Sequence, residues 1–229
     1  MSRDRPRRVL VAGIGNVFLG DDGFGVEVVR RLDAADLPPA VDVADYGIRG
    51  LHLAYELLDG RHDTLIMVDA VPLDGPPGTL AVLDVGDTAS DTGHNTGHDT
   101  GRDTGRDTGD GAAGTGGAAA DTCAPVVDGH GMDPLTVLRL LHRLGGAVDR
   151  ALVVGCRPES VDERMGLSPP VAAAVPEAVR LVTEVARAEA ARTEAARTEA
   201  ARTEAARTEA ARTEAARTDA TGEGVRAYA

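Results

Sequence analysis

The chain has 229 residues, a formal net charge of −13 from 24 basic and 37 acidic side chains, and only 2% aromatic residues. Acidity on this scale argues against nucleic acid and anionic membranes as partners, since both reward clustered Lys and Arg. The two cysteines, Cys123 and Cys156, lie too far apart for a C-x-x-C pair, which fits a reducing compartment without a disulfide framework.

The opening M-S-R-D-R-P-R-R is basic, but the apolar stretch behind it ends at Ile14, too short for an export signal or a membrane span. A soluble, cytoplasmic protein is therefore expected. Residues 9–14 (V-L-V-A-G-I) read as a buried strand, broken by Gly13, Gly15 and Asn16 and again at residues 20–23. From Phe24 the apolar residues Phe24, Val28, Val29 and Leu32 follow helical spacing, with Asp21 and Asp22 at the mouth of that helix. Residues 41–46 alternate as a second strand, residues 47–50 turn, and Leu51, Leu53, Ala54, Leu57 and Leu58 form a short helix ended by Gly60. Residues 64–68 (T-L-I-M-V) are a third strand running into Asp69. A fourth, at 79–85, follows after too short a link for a parallel crossover and is expected as an antiparallel edge.

Residues 87–121 are a low-complexity Asp/Thr/Gly tract with too few apolar side chains to offset its ordering entropy, so a disordered insertion is expected. Asp133 and Pro134 then supply an N-cap and a first helical residue, with Leu135, Leu138, Leu141 and Leu144 as the apolar stripe and Gly145 and Gly146 as the stop. Residues 151–155 are the last strand and 171–185 the closing helix. Six E-A-A-R-T repeats follow from Glu189 to Thr218. A five-residue period advances by about 140° per repeat on an α-helix, so no fixed apolar face forms. The organisation expected is one α/β domain over residues 1–188 with the insertion at 87–121, then a frayed helical tail at 189–229. Its sheet is mostly parallel, of about five strands with one antiparallel edge, and helices cover both faces in three layers.

The weak G-x-G-x-x-G fingerprint of dinucleotide sites is met at Gly13 and Gly15 but fails at Phe18. Two aspartates also stand where a pyrophosphate needs helix N–H groups and no negative charge. Asp45, at the end of the second strand, would suit a ribose. Asp22, Asp69 and His130 each have a plain structural explanation alone: a helix N-cap, a turn former after a strand, and a loop histidine. Together they place two carboxylates and an imidazole on loops of one domain, a donor set for a borderline divalent ion such as nickel or zinc with coordination positions left open. His94 and His98 sit four apart in the Gly/Asp tract, which will not hold helical spacing. Cys156 ends an apolar strand and reads as a small buried hydrophobe rather than a nucleophile. No G-x-S-x-G elbow is present.

At these residues the chain resembles the nickel-iron hydrogenase maturation endopeptidases. The motifs are G-I-G-N-V-F-L-G-D-D-G-F-G (13–25), G-I-R-G (47–50), L-I-M-V-D-A-V (65–71), P-P-G-T-L (76–80), H-G-M-D-P (130–134), V-G-C-R-P-E (154–159) and M-G-L-S-P-P-V (165–171), in the family's order. The resemblance implies a three-layer α/β fold and removal of a C-terminal extension from a hydrogenase large-subunit precursor once nickel is loaded. It implies Asp22, Asp69 and His130 as the metal-contacting and catalytic residues, acting on nickel held by the substrate's cysteines, with no resident cofactor. Asp45, Gly47 and Arg49 are the candidate substrate-binding residues, and a monomer is expected. The nucleophile stays open between metal polarisation of the scissile carbonyl and a carboxylate-activated water, with Asp45 a candidate base. The rival readings are a nickel-sensing chaperone that binds without cutting and a dinucleotide-binding oxidoreductase. If residues 87–120 are an insertion without a structural role, their deletion leaves the melting temperature nearly unchanged; a large drop in a thermal melt would show that the fold needs them.

Overall fold

The computed structural model describes residues 8–86 and 133–222, with side chains as far as Thr213. His94, His98, Cys123, His130 and the tract at 87–121 lie outside the described residues. Strands β1 (Val9–Ile14), β2 (Val41–Gly47), β3 (Thr64–Ala70), β4 (Leu80–Asp84) and β5 (Arg150–Cys156) form one sheet in the order β2-β1-β3-β5-β4. β1 pairs in parallel with β2 and β3, and β3 in parallel with β5. β4 runs antiparallel to β5 at the edge, as its short link from β3 requires. The expected α/β class, mostly parallel with one reversed edge strand, is the observed one.

Alternation along the strands divides the core in two. Leu10, Ala12, Leu65, Met67 and Val153 face helices α2 (Gly50–Leu57) and α3 (Pro134–Arg143), meeting Leu53, Leu57, Leu138 and Leu141. Val9, Val11, Ile66, Val68, Leu152 and Val154 face α1 (Phe24–Val29) and α4 (Pro169–Gly222), meeting Phe24, Val28, Val175 and Val182. A fully buried aliphatic side chain contributes about 1.5–3 kcal/mol, so two thin aliphatic cores can hold three layers with almost no aromatic filling.

The strands differ from the sequence expectation by one or two residues at their ends, and the larger differences lie in three helices. The helix read as reaching Leu32 ends at Val29, because the amides of Arg31 and Leu32 bond three residues back and tighten the chain out of the α-form. In α3 the cap is as expected, with the Asp133 carboxylate accepting from the Thr136 amide at 2.9 Å. However, Leu144 falls past the helix end and is 40% exposed, while Val137 joins the buried stripe.

The closing helix and the repeats form one continuous helix of 54 residues. Its first repeat still packs on the domain: Glu189, Ala190 and Thr193 are buried, and Glu189 pairs with Arg150 of β5 at 3.0 Å. From Glu194 onward the described side chains are exposed. There the threonine hydroxyls donate to carbonyls four residues back, as Thr203 does to Glu199 at 2.9 Å. No helix among the described residues is long and apolar enough to cross a membrane.

Helix α1 rests on the sheet at Gly25, where a Cβ would stand 1.9 Å from the Val68 carbonyl oxygen and 2.4 Å from that of Ile14. Both neighbours are backbone and cannot move aside. Gly25→Ala is expected to cost about 2–3 kcal/mol, read as a lower urea midpoint at unchanged m-value; an unchanged midpoint would show that α1 can slide.

Candidate active site

β1 and β3 are neighbours whose onward connections run in opposite directions along the sheet, from β1 to β2 and from β3 toward β4 and β5. Open α/β sheets bind ligands in the crevice at such a reversal. Two carboxylates flank it: Asp22, in the 3₁₀ turn Gly20–Gly23 behind β1, and Asp69, near the end of β3. Gly15 holds the crevice narrow. Its φ is +123°, and a Cβ there would stand 1.8 Å from the Asp22 carbonyl oxygen and 3.7 Å from Asp69 Oδ1. The Gly15 amide donates to the Gly47 carbonyl at 3.1 Å, tying the end of β2 to the same loop.

Asp22 is not an N-cap. Those positions belong to Leu19 for the 3₁₀ turn and Gly23 for α1, and neither turn takes a side-chain cap. The Asp22 carboxylate instead accepts the Asn16 amide at 2.6 Å. Burial pushes the Asp22 carboxyl up, and that single amide only partly opposes it.

Asp69 belongs to β3 rather than to a turn, is 5% exposed, and accepts a hydrogen bond from the Ala70 amide at 2.8 Å. Burial pushes its carboxyl well above the usual range, and the negative charges of Asp22 and, more weakly, Asp133 add to the push. Two carboxylates that repel in a poorly solvated crevice are relieved by a proton or by a divalent cation. Among the described residues no group of three or more His, Cys, Asp or Glu could hold a metal. Asp22 and Asp69 are two of the three expected ligands; His130, outside the described residues, precedes Asp133 by three positions.

The candidate substrate residues share this edge with different degrees of freedom. The Asp45 carboxylate is paired with the Arg30 guanidinium at 2.9 Å. Arg49 donates to the Asp45 and Tyr46 carbonyls at 2.6 and 3.1 Å, and Gly47 spends its carbonyl on Gly15. Cys156 is fully buried, and burial pushes its thiol up to about 11, the behaviour of a buried hydrophobe rather than a nucleophile. Sequence reasoning missed Asn16, whose amide holds Asp22, and the separate part played by Asp21. The Asp-Asp doublet was visible, but nothing local tells which of the two turns inward.

The raised Asp69 carboxyl has a signed consequence. Its folded-state value lies above that of the unfolded chain, near 4. The ionised form therefore weakens the fold increasingly as pH rises from about 4 through the folded-state value, and the loss persists above it. Asp69→Asn, which keeps an acceptor for the Ala70 amide, is expected to melt higher than the native chain at pH 7 in chelator, with the gap closing toward pH 4. Equal melting temperatures at pH 7 would show that the pair does not repel.

Comparison with known proteins places the chain in a family. The hydrogenase 2 maturation protease of Escherichia coli is 28% identical over 182 residues, covering 79% of this chain and 91% of its own. The crystal structure of a hydrogenase 2 maturation peptidase from a Thaumarchaeota archaeon is 30% identical with a TM-score of 0.50, over 78% of this chain and 97% of that one. A hydrogenase maturating endopeptidase from E. coli, 24% identical over 80% of this chain and 94% of its own, shares the fold at a TM-score of 0.52. The profile of the family described as hydrogenase maturation protease matches residues 26–102 and 120–185. This chain belongs to the hydrogenase maturation protease family and is, as such, a hydrolase.

Proposed function

We propose that this endopeptidase removes the C-terminal extension of a nickel-iron hydrogenase large-subunit precursor and recognises the nickel that the precursor carries. The observation that supports this best is the pairing of Asp22 and Asp69 across the β1–β3 crevice, both carboxyls raised by burial and the second raised further by the first. His130 is the third ligand in this reading. Asp133, whose charge is felt at Asp69, follows it by three residues, a span of at most about 11 Å. Carboxylate oxygens and an imidazole suit a borderline divalent ion, and three such groups leave further positions to the precursor's own ligands. The ion is then part of the substrate, shared across the interface.

The two carboxylates fix the orientation of that shared ion, and nickel supplies Lewis acidity toward the scissile carbonyl or an attacking water. Asp45 is the base if a carboxylate activates that water, and its Arg30 partner holds it in place. A protein substrate is also favoured by the rim. Phe18, Ile48 and Met165 are 63%, 60% and 77% exposed on the loops behind β1, β2 and β5. Large apolar side chains left bare around a crevice mark a macromolecular contact more readily than a small-molecule site. Action on a precursor before assembly fits the cytoplasm.

Intact-mass spectrometry separates this reading from a chaperone that senses nickel without cutting. The chain is incubated with nickel-loaded and nickel-free large-subunit precursor, alongside the Asp69→Ala and His130→Ala variants. Loss of a C-terminal peptide is expected only with nickel, and about 100-fold or more slower in either variant. A stable complex with no mass loss would favour the chaperone, and equal cleavage of nickel-free precursor would remove nickel from the mechanism.

A further inference from the structure

The reading above gives Asp22 a chemical role and its neighbour none. Yet Asp21 is 0% exposed, and an ionised group is buried only at a cost unless partners compensate. Here they do. Asp21 Oδ2 accepts the Glu159 amide at 2.8 Å, the Ser160 amide at 3.1 Å and the Ser168 hydroxyl at 2.8 Å, while Oδ1 accepts the Ser168 amide at 2.5 Å. The Arg164 guanidinium stands 3.6 Å away. All of these donors belong to one segment, the connection between β5 and α4.

The clamp is reciprocal. Asp21 gives its own amide to the Ser160 carbonyl at 3.1 Å, and Gly20 gives its amide to the Arg164 carbonyl at 2.8 Å. Arg164 in turn donates to the Phe18 carbonyl at 3.0 Å. Ser168 also directly precedes α4, its carbonyl accepting the Ala172 amide at 2.8 Å, so the carboxylate lies against the amino end of a long helix, where negative charge is favoured.

Asp22 has far less of its own. Its carboxylate takes the one amide of Asn16, and the turn that carries it has glycine at both ends. Asp21 and Asp22 are consecutive in that single turn. With the Asp21 amide and both its carboxylate oxygens pinned, the Asp22 Cα cannot shift without breaking bonds to a segment some 140 residues away in sequence.

We infer that Asp21 is a positioning residue of this site, holding the Asp22 carboxylate in place through the main chain of the 3₁₀ turn and the clamp to residues 159–168. The inference rests on the proposed role of Asp22 toward nickel. Misplacing a reacting group by about 1 Å can cost on the order of 100-fold in rate, so the clamp bears on turnover as well as on stability.

The test is a cycle of single-turnover cleavage rates on a nickel-loaded large-subunit precursor that the native chain cleaves. The variants are Asp21→Asn, Asp22→Asn and the double variant, with melting temperatures measured in parallel. Asparagine keeps the shape but turns an N–H₂ group against donors. Asp21→Asn is expected to lower the maximal rate about 10–100-fold with little change in the half-saturating concentration, and to cause no further loss once Asp22 is Asn. Ser168→Ala, which removes one bond of the clamp, is expected to fall between native and Asp21→Asn; it replaces Asp21→Asn in the cycle if that variant does not fold.

Losses that multiply in the double variant would make the clamp a matter of stability alone and overturn the inference. So would a fully active Asp21→Asn or Ser168→Ala beside a slow Asp22→Asn. A fully active Asp22→Asn would instead overturn the role given to Asp22, and the inference with it.

Discussion

Gly25 brings the main chain of α1 directly against the carbonyls of Ile14 and Val68, near the carboxyl ends of β1 and β3, with no side chain between. This contact sets the height of the helix above the sheet. The turn that enters the helix must then pass over the crevice between β1 and β3, and Asp22 rides on that turn. Gly15 makes the matching demand from below, since any side chain there would occupy the Asp22 carbonyl. Two glycines in a stretch of eleven residues thus decide whether Asp22 and Asp69 meet. Neither acts chemically. Each acts by letting backbone come closer to backbone than a Cβ would allow.

Asp21 and Asp22 carry the same side chain in the same turn, and their carboxyls are shifted in opposite directions. Burial would raise Asp21, but the Ser168 and Ser160 amides, the Ser168 hydroxyl and the Glu159 amide outweigh it and hold the carboxyl below its ordinary value. Asp22 has one donor against burial and is raised. The fold places four hydrogen bonds on the Asp21 carboxylate and one each on Asp22 and Asp69, the two that face the crevice. Two buried carboxylates with so few donors hold their charge at a cost to stability, as groups at functional sites commonly do.

Much of the fold was legible because its signals are local. Runs such as Thr-Leu-Ile-Met-Val need both faces covered, a short link excludes a parallel neighbour, and Asp-Pro before an apolar stripe starts a helix. The overlong reading of α1 has a physical cause: Leu32 packs against the same core as Val28 and Val29 after the helical bonds have ended, so apolar periodicity outlasts the helix. The repeats misled in the other direction. Their period forms no lasting face, but Ala178, Val182, Ala186 and Ala190 step along one stripe, so the first repeat is drawn onto the sheet. Of the site, the acids at strand ends could be read from order along the chain. The clamp on Asp21 could not, because its donors come from residues 159–168, beyond every local window.

The long α4 helix changes how the molecule moves through water. At 1.5 Å per residue its 54 residues extend about 80 Å, and the part beyond Thr193 projects about 44 Å from the sheet. A small domain carrying such a rod tumbles anisotropically and drags more solvent than a sphere of 23.6 kDa. Gel filtration, calibrated on compact standards, would assign a single copy the size of a larger particle. The number of copies in solution is therefore a question for light scattering or sedimentation equilibrium, which weigh the particle without regard to its outline.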